Sequence, residues 1–153
     1  MKIGIISDTH NLLRPEAIAA LQGSAHILHA GDIGDISILR TLEKIAPVTA
    51  IRGNTDNHGP TSKLPHTEPV ELAGHLFYLV HSIDDLDLNP QAAKISAVIH
   101  GHSHTPSIRT HKGVLYLNPG AAGPRRFALP ISIAHIQING PTLTPTLQTL
   151  IAD

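Results

Sequence analysis

The chain has 153 residues, 41% of them apolar and 15% charged, with a formal net charge of −1. That length suits one domain spanning residues 1–153, able to bury ~70% of its unfolded surface, and that charge offers no long-range attraction to nucleic acid or an anionic membrane. Cysteine is absent, which excludes disulfides and thiolate ligands, aromatics at 3% are too few for base-stacking platforms, and histidine is abundant at twelve residues.

The first third alternates short apolar runs with helical patterns. "KIGII" reads as a buried strand. "RPEAIAALQG" reads as a helix, with Pro15 in its first turn and Gly23 as its stop. "AHILHA" is a second strand. Asp35 is placed to cap a second helix whose apolar Ile38, Leu39, Leu42, Ile45 and Ala46 share one face. Pro47 ends it, and "VTAI" forms a third strand. Strands alternating with helices predict a parallel arrangement with right-handed crossovers. The polar, Pro- and Gly-rich stretch from Asn54 to Pro69 reads as a loop. Strands dominate beyond it. "VELAGHLFYLV" is a hairpin, "PQAAK" a short helix, "ISAVI" a strand and "SIRTHKGVLYL" a second hairpin. "ISIAHIQINGPTLTPTLQTL" is a third hairpin, turning at Asn139-Gly140. The expected class is α/β (α+β), with two packed β-sheets and helices outside. No apolar run approaches the ~20 residues of a membrane span. "MKIGIISDTH" breaks its apolar run before Asp8, unlike a signal peptide. The default expectation is a cytoplasmic protein with no membrane partner.

Polar residues fall in a pattern. Each of five expected strands is followed at once by acids, amides or imidazoles: "SDTH" with Asp8 and His10, "GDIGD" with Asp32, "RGNTD" with Asn54 and Asp56, His81, and "HGHSH". In parallel sheets, sites collect beyond the carboxyl ends of strands. Convergence of these groups supplies mixed N and O ligands for two metal ions. Such a set suits Mn²⁺, Fe, Zn²⁺, Co²⁺ or Ni²⁺ rather than Ca²⁺. Asp32, between Gly31 and Ile33, is placed to bridge two cations. In "VIHGHSH", His100, His102 and His104 occupy every second position, and alternation alone does not say which are ligands.

These motifs, from "SDTH" to "NPGAAGPRR", resemble the calcineurin-like metallophosphoesterase superfamily, and within it the branch of small, single-domain bacterial and archaeal phosphodiesterases. The resemblance implies a four-layer αββα sandwich. It implies two divalent cations, Mn²⁺ foremost. Asp8, His10 and His104 would hold the first and Asn54, His81 and His102 the second, with Asp32 bridging. His100 then falls outside the ligand set. Asp32, Asn54 and His102 take catalytic positions, and Asn54 and Arg125 (or Arg126) lie beside the substrate. The implied reaction is hydrolysis of a small phosphodiester by in-line attack of a hydroxide shared between the cations. Two departures stand out. Thr55 follows Gly-Asn where many superfamily members carry a histidine thought to protonate the leaving group, and "HSI" replaces a common His-Gly-His. His58, four residues after Asn54, is the alternative general acid.

The remaining histidines have plainer readings. His26, His29 and His135 lie within apolar strands and need one hydrogen-bond partner each. His66, His75 and His111 read as loop or turn surface. Asp56 either orients a ligand or closes a turn, and Arg52 supports its loop. Three functions compete: a phosphodiesterase, a phosphomonoesterase or nucleotidase, and a protein-binding scaffold of the same fold, as in one eukaryotic retromer subunit. No long nucleic acid is expected as partner, and a homo-oligomer is allowed.

Overall fold

Apolar residues at alternate positions build two five-stranded sheets, packed face to face, in the computed structural model, which describes residues 1–152. The strands are β1 (Lys2–Ile6), β2 (His26–His29), β3 (Val48–Ala50), β4 (Thr67–Leu72), β5 (His75–Val80), β6 (Ala97–Ile99), β7 (Ser107–His111), β8 (Val114–Asn118), β9 (Ile131–Asn139) and β10 (Thr142–Ile151). The first sheet runs β10-β9-β1-β2-β3 and the second β4-β5-β6-β8-β7. β1, β2 and β3 pair in parallel, as do β5, β6 and β8.

The period of two sorts each strand. Ile3, Ile5, Leu28, Phe77, Leu79, Ala97, Ile99, Leu115, Leu117, Ala134 and Ile136 fill the space between the sheets. The opposite face of the first sheet, through Ile6, Ile27 and Ile133, takes two helices, α1 (Pro15–Leu21) and α2 (Ser37–Glu43). α1 starts on Pro15 and buries Ala17 and Leu21. Gly4 lets it approach, because a Cβ there would lie 2.6 Å from Leu21 Cδ2. Asp35 precedes α2 and accepts the Ser37 amide at 2.9 Å. Over the outer face of the second sheet, Ile83, Leu86, Leu88 and Ile95 cover Tyr78, Val98 and Tyr116. That layer is not helical: one 3-10 turn (Ile83–Asp85) is followed by irregular chain.

Three local expectations need correction. "PQAAK" makes a single turn, with the Ala93 amide bonded to Asn89 O at 3.0 Å, and ends where Lys94 takes a φ of 59°. The third hairpin turns at Gly140-Pro141, because Asn139 pairs with Thr142. Gly140 takes positive φ at the first central position, and Pro141, which has no amide to give a ladder, sits in the turn. β4 begins at Thr67 and contains Pro69, tolerated because β4 is an edge strand. Among the described residues no helix is long and apolar enough to cross a membrane.

Candidate metal centre

Five loops meet beyond the carboxyl ends of β1, β2, β3, β5 and β6. Main-chain hydrogen bonds carry the β1–β2 pairing past the sheet: Asp8 N to Gly31 O at 3.0 Å, His10 N to Asp32 O at 2.9 Å and Asn11 N to Ile33 O at 3.0 Å. Gly101 N to His81 O at 2.9 Å does the same between β5 and β6. Asp8, His10, Asp32, His102 and His104 all take φ between 43° and 69°. Non-glycine residues held there cost on the order of 1 kcal/mol or more each and gather at functional sites.

Two clusters of side chains result. Asp8, His10 and His104 present ligand atoms within 4.8 Å of one another, and so do Asp32, His81 and His102. The clusters adjoin. Asp32 Oδ2 lies 3.2 Å from His81 Nε2 and 3.6 Å from His10 Nε2. Asp8 Oδ1 lies 3.4 Å from His104 Nε2, 3.6 Å from His10 Nε2 and 3.9 Å from His81 Nε2. Asn54 Oδ1 stands 3.1 Å from His102 Nδ1. His100 belongs to neither cluster; it is buried, with its amide bonded to Leu117 O.

The donor set fits divalent cations. Asp8 Oδ1 and His81 Nε2 are buried and have no hydrogen-bond partner. Their other atoms are committed: Asp8 Oδ2 accepts from Ser7 Oγ at 2.7 Å and from His102 N at 3.0 Å, and His81 Nδ1 donates to Ala30 O at 2.7 Å. That leaves each of these two atoms free for a cation among the ligand atoms of its own cluster, which is how surrounding hydrogen bonds orient metal ligands. The electrostatics agree. Burial opposes ionisation of Asp8, but the His10 and His104 imidazoles, His81 and the Ser7 hydroxyl outweigh it, so its pKa lies far below the carboxylate range. Burial likewise opposes ionisation of Asp32, and His81 and the Thr55 amide reverse it. The Asp8 carboxylate raises the His10 pKa against burial and the positive charge of Arg126.

Other expected residues fall elsewhere. Arg125 donates to the main-chain carbonyls of Leu129, Ile151 and Ala152, so its guanidinium is tied to the C-terminal segment, and Arg126 is the arginine whose charge reaches His10. His58 is exposed and lines a shallow depression with Asn11, Gly34 and Thr55, apart from the cavity lined by Asn54, His81 and His102.

Further residues position the site; of these, the sequence reading leaves Asp56 open between orienting a ligand and closing a turn, takes His29 as a core histidine and passes over Asn118. Asp56 is buried and accepts amides from Ile33 (3.1 Å), Gly34 (3.1 Å) and Gly53 (2.9 Å), clamping the β2 and β3 loops together. Gly53 has no alternative, since a Cβ would overlap the Asp32 carboxylate. Asn118 donates to Gly101 O and Ser103 Oγ and accepts from Gly120 N, holding the "HGHSH" loop. It ends β8, so the strand-end pattern was available to find it. His29 accepts the Gly31 amide at Nδ1 (3.1 Å) and donates from Nε2 to Thr9 Oγ1 (3.1 Å), which donates to Ile33 O.

His29 must therefore stay neutral, and burial lowers its pKa to about 4. Its folded pKa lies below the unfolded value near 6.5, so its contribution is present above about pH 6.5 and is lost as pH falls toward 4. The full loss is on the order of 3 kcal/mol. Thermal unfolding from pH 7 to 4 should show a shallower decline for His29→Gln than for the native chain; equal slopes would remove His29 from the account. The "HGHSH" histidines should separate as well. His102→Ala and His104→Ala should each weaken Mn²⁺ binding by about tenfold or more, whereas His100→Ala should cost on the order of 2 kcal/mol of stability with Mn²⁺ affinity kept. Equilibrium dialysis and thermal melts decide this, and loss of metal in His100→Ala alone would reverse the assignment.

A two-sheet sandwich with paired Asp/His clusters at its strand ends defines a class of hydrolytic metalloprotein. The family model for the calcineurin-like phosphoesterase superfamily domain matches residues 1–140, and the chain belongs to that family. It is 35% identical over 155 residues to a probable metallophosphoesterase of Methanothermobacter thermautotrophicus, covering 94% of this chain and 89% of the relative. Among solved structures, an archaeal phosphodiesterase superposes with a TM-score of 0.79 at 24% identity, over 97% of this chain and 100% of the other. Vps29 of Entamoeba histolytica, as a single mutant, superposes with a TM-score of 0.81 at 21% identity, over 97% and 92%. At those identities the two structures speak for the fold alone.

Proposed function

We propose that this protein is a phosphodiesterase that uses two divalent cations, Mn²⁺ foremost, to hydrolyse a small phosphodiester. The observation that carries the reading is the shared position of Asp32 Oδ2, within 3.6 Å of a histidine from each cluster. Asp8, His10 and His104 would hold one cation, Asn54, His81 and His102 the other, with Asp32 between them. Bound there, the cations supply Lewis-acid stabilisation of the phosphoryl oxygens and lower the pKa of a water. The two buried carboxylates keep their negative charge, which offsets the cations and leaves an excess positive charge matched to a phosphodiester anion. Arg126, whose charge reaches His10, adds to that field, and Asn54 lies at the edge of the cavity where substrate enters. In the reaction, water oxygen bonds to phosphorus, the P–O bond to one alcohol breaks, and the departing alkoxide takes up a proton. Thr55 presents no acid for that last step.

The test is direct. Elemental analysis of protein reconstituted with Mn²⁺ should find about two ions per chain, and the same sample should hydrolyse bis(p-nitrophenyl) phosphate. Two ions without turnover of any phosphate ester would favour the scaffold reading, and no bound transition metal would end the metal assignment.

A further inference from the structure

In the second cluster, Asp32 and His81 are buried and anchored, Asp32 Oδ1 by the Thr55 amide and His81 Nδ1 by Ala30 O. Asn54 is exposed, so packing does not fix it. Its position comes from the main chain. The Asn54–Thr55 peptide is one rigid plane, and it is gripped at both edges. Its N–H donates to Asp32 Oδ1 at 2.9 Å, and its carbonyl, Asn54 O, accepts from Asn57 Nδ2 at 3.1 Å. Asn57 Oδ1 in turn accepts from Arg52 Nη2 at 3.1 Å. Arg52 is itself held, since Nη1 donates to Ser62 O at 3.0 Å and its amide donates to Pro65 O at 3.0 Å. A guanidinium carries donors and no acceptor, so the Asn57 atom that faces it must be the carbonyl oxygen. Arg52 thereby decides which end of an exposed amide meets Asn54 O. Arg52 lines the same cavity as Asn54 and His102, but both of its terminal nitrogens are bonded to the loop and its Nε is buried, so it acts on the wall and not on a phosphate.

The two grips do different work. The bond to Asp32 alone leaves the peptide free to pivot about that carboxylate, and a pivot swings the Asn54 side chain away from His102, whose Nδ1 lies 3.1 Å from Asn54 Oδ1. The bond from Asn57 stops the pivot. Gly53, on the other side of Asn54, is pinned separately by Asp56 at 2.9 Å, so that clamp does not replace the one at Asn54 O. We infer that Arg52 and Asn57 are positioning residues for the second cation: the bonds from Arg52 to Asn57 and from Asn57 to Asn54 O keep Asn54 Oδ1 beside His102, and so set the affinity of that site although neither residue is a ligand. This rests on the two-cation reading above and adds to it two residues outside the ligand set. Partners of this kind, one bond removed from a ligand, typically control metal affinity by tenfold or more.

Binding of Mn²⁺ to the full chain tests this without turnover. Equilibrium dialysis counts the ions, and two Mn²⁺ ions that share a carboxylate give an exchange-coupled EPR spectrum distinct from that of a single bound ion, so filling of the second site is followed by itself. Asn57→Ala and Arg52→Ala should each weaken the second ion by about tenfold, with the first ion bound as in the native chain. Because both act through Asn54, the double variant should bind the second ion no more weakly than the weaker single variant, and Asn57→Ala should have no further effect in an Asn54→Ala background. Asn57 is exposed, so Asn57→Ala should keep the native melting temperature and carries the test even where Arg52→Ala fails to fold. Unchanged affinity for the second ion in Asn57→Ala, equal weakening of both ions, or effects of Asn57→Ala and Arg52→Ala that add in full would overturn this inference alone. A native chain that binds fewer than two ions would instead overturn the two-cation reading on which it stands.

Discussion

Asp32→Asn is expected to lower kcat/KM for bis(p-nitrophenyl) phosphate by about 10³-fold, or about 4 kcal/mol of transition-state stabilisation, while the protein stays folded. The substitution keeps the shape and removes one negative charge. Asp32 Oδ1 accepts the Thr55 amide at 2.9 Å, and an asparagine carbonyl can accept it too, so the β3 loop keeps its anchor. The loss falls on Oδ2, the atom that faces both His81 and His10. An amide NH₂ there directs hydrogens toward the cations that the clusters would hold. Affinity for the second Mn²⁺ should fall along with turnover. Melting temperature, metal content and kcat/KM together separate an unfolded variant from a disabled one. Near-native turnover with both ions bound would mean that Asp32 does not join the two clusters.

The second large effect concerns the departing alcohol. A nitrophenolate leaves without a proton, whereas a sugar or alkyl alkoxide needs one in the transition state, and a positioned general acid is typically worth ~10²–10⁴-fold. Thr55 occupies the position after Asn54, its amide held by Asp32 and its side chain exposed. Its hydroxyl is no acid near neutral pH. Rates for a series of aryl and alkyl diesters should therefore fall steeply as leaving-group pKa rises. His58 lines a different depression from His81 and His102, so His58→Ala should leave the slope unchanged. Thr55→His should flatten it and recover on the order of 10²-fold for an alkyl leaving group. A flat native series that steepens in His58→Ala would make His58 the acid and overturn the reading of Thr55.

Much of the site was legible because a buried strand announces its own end. An apolar run stops where the chain leaves the sheet, and a polar residue in the next few positions has no burial reason to be there. Asp8, Asp32, Asn54, His81 and His102 all stood out in that way, and the parallel order of β1, β2 and β3 implied that their loops share one edge. The same signal is present at Asn118, which ends β8, although the sequence reading passes over it. His29 was harder. It sits inside the apolar run "HILH", where an imidazole with one satisfied hydrogen bond reads as core; one partner, Gly31, is two residues further on, but the other, Thr9, lies on the loop after β1.

Local composition and alternation thus determined the sandwich, the parallel half and the identity of the chemistry-bearing side chains, because each rests on where a residue stands relative to its own strand. Only the tertiary structure decided what those side chains face. For the histidines it supplied distances for a division that the family resemblance already implied, with His102 and His104 in different clusters and His100 in neither. It set Asp56 against three amides and turned Arg125 toward the C-terminal carbonyls instead of the site. The physical reason is common to all of these. Main-chain amides and carbonyls carry no mark in the sequence, and a long or charged side chain takes its direction from partners that are distant along the chain and meet it only after the sheets have packed.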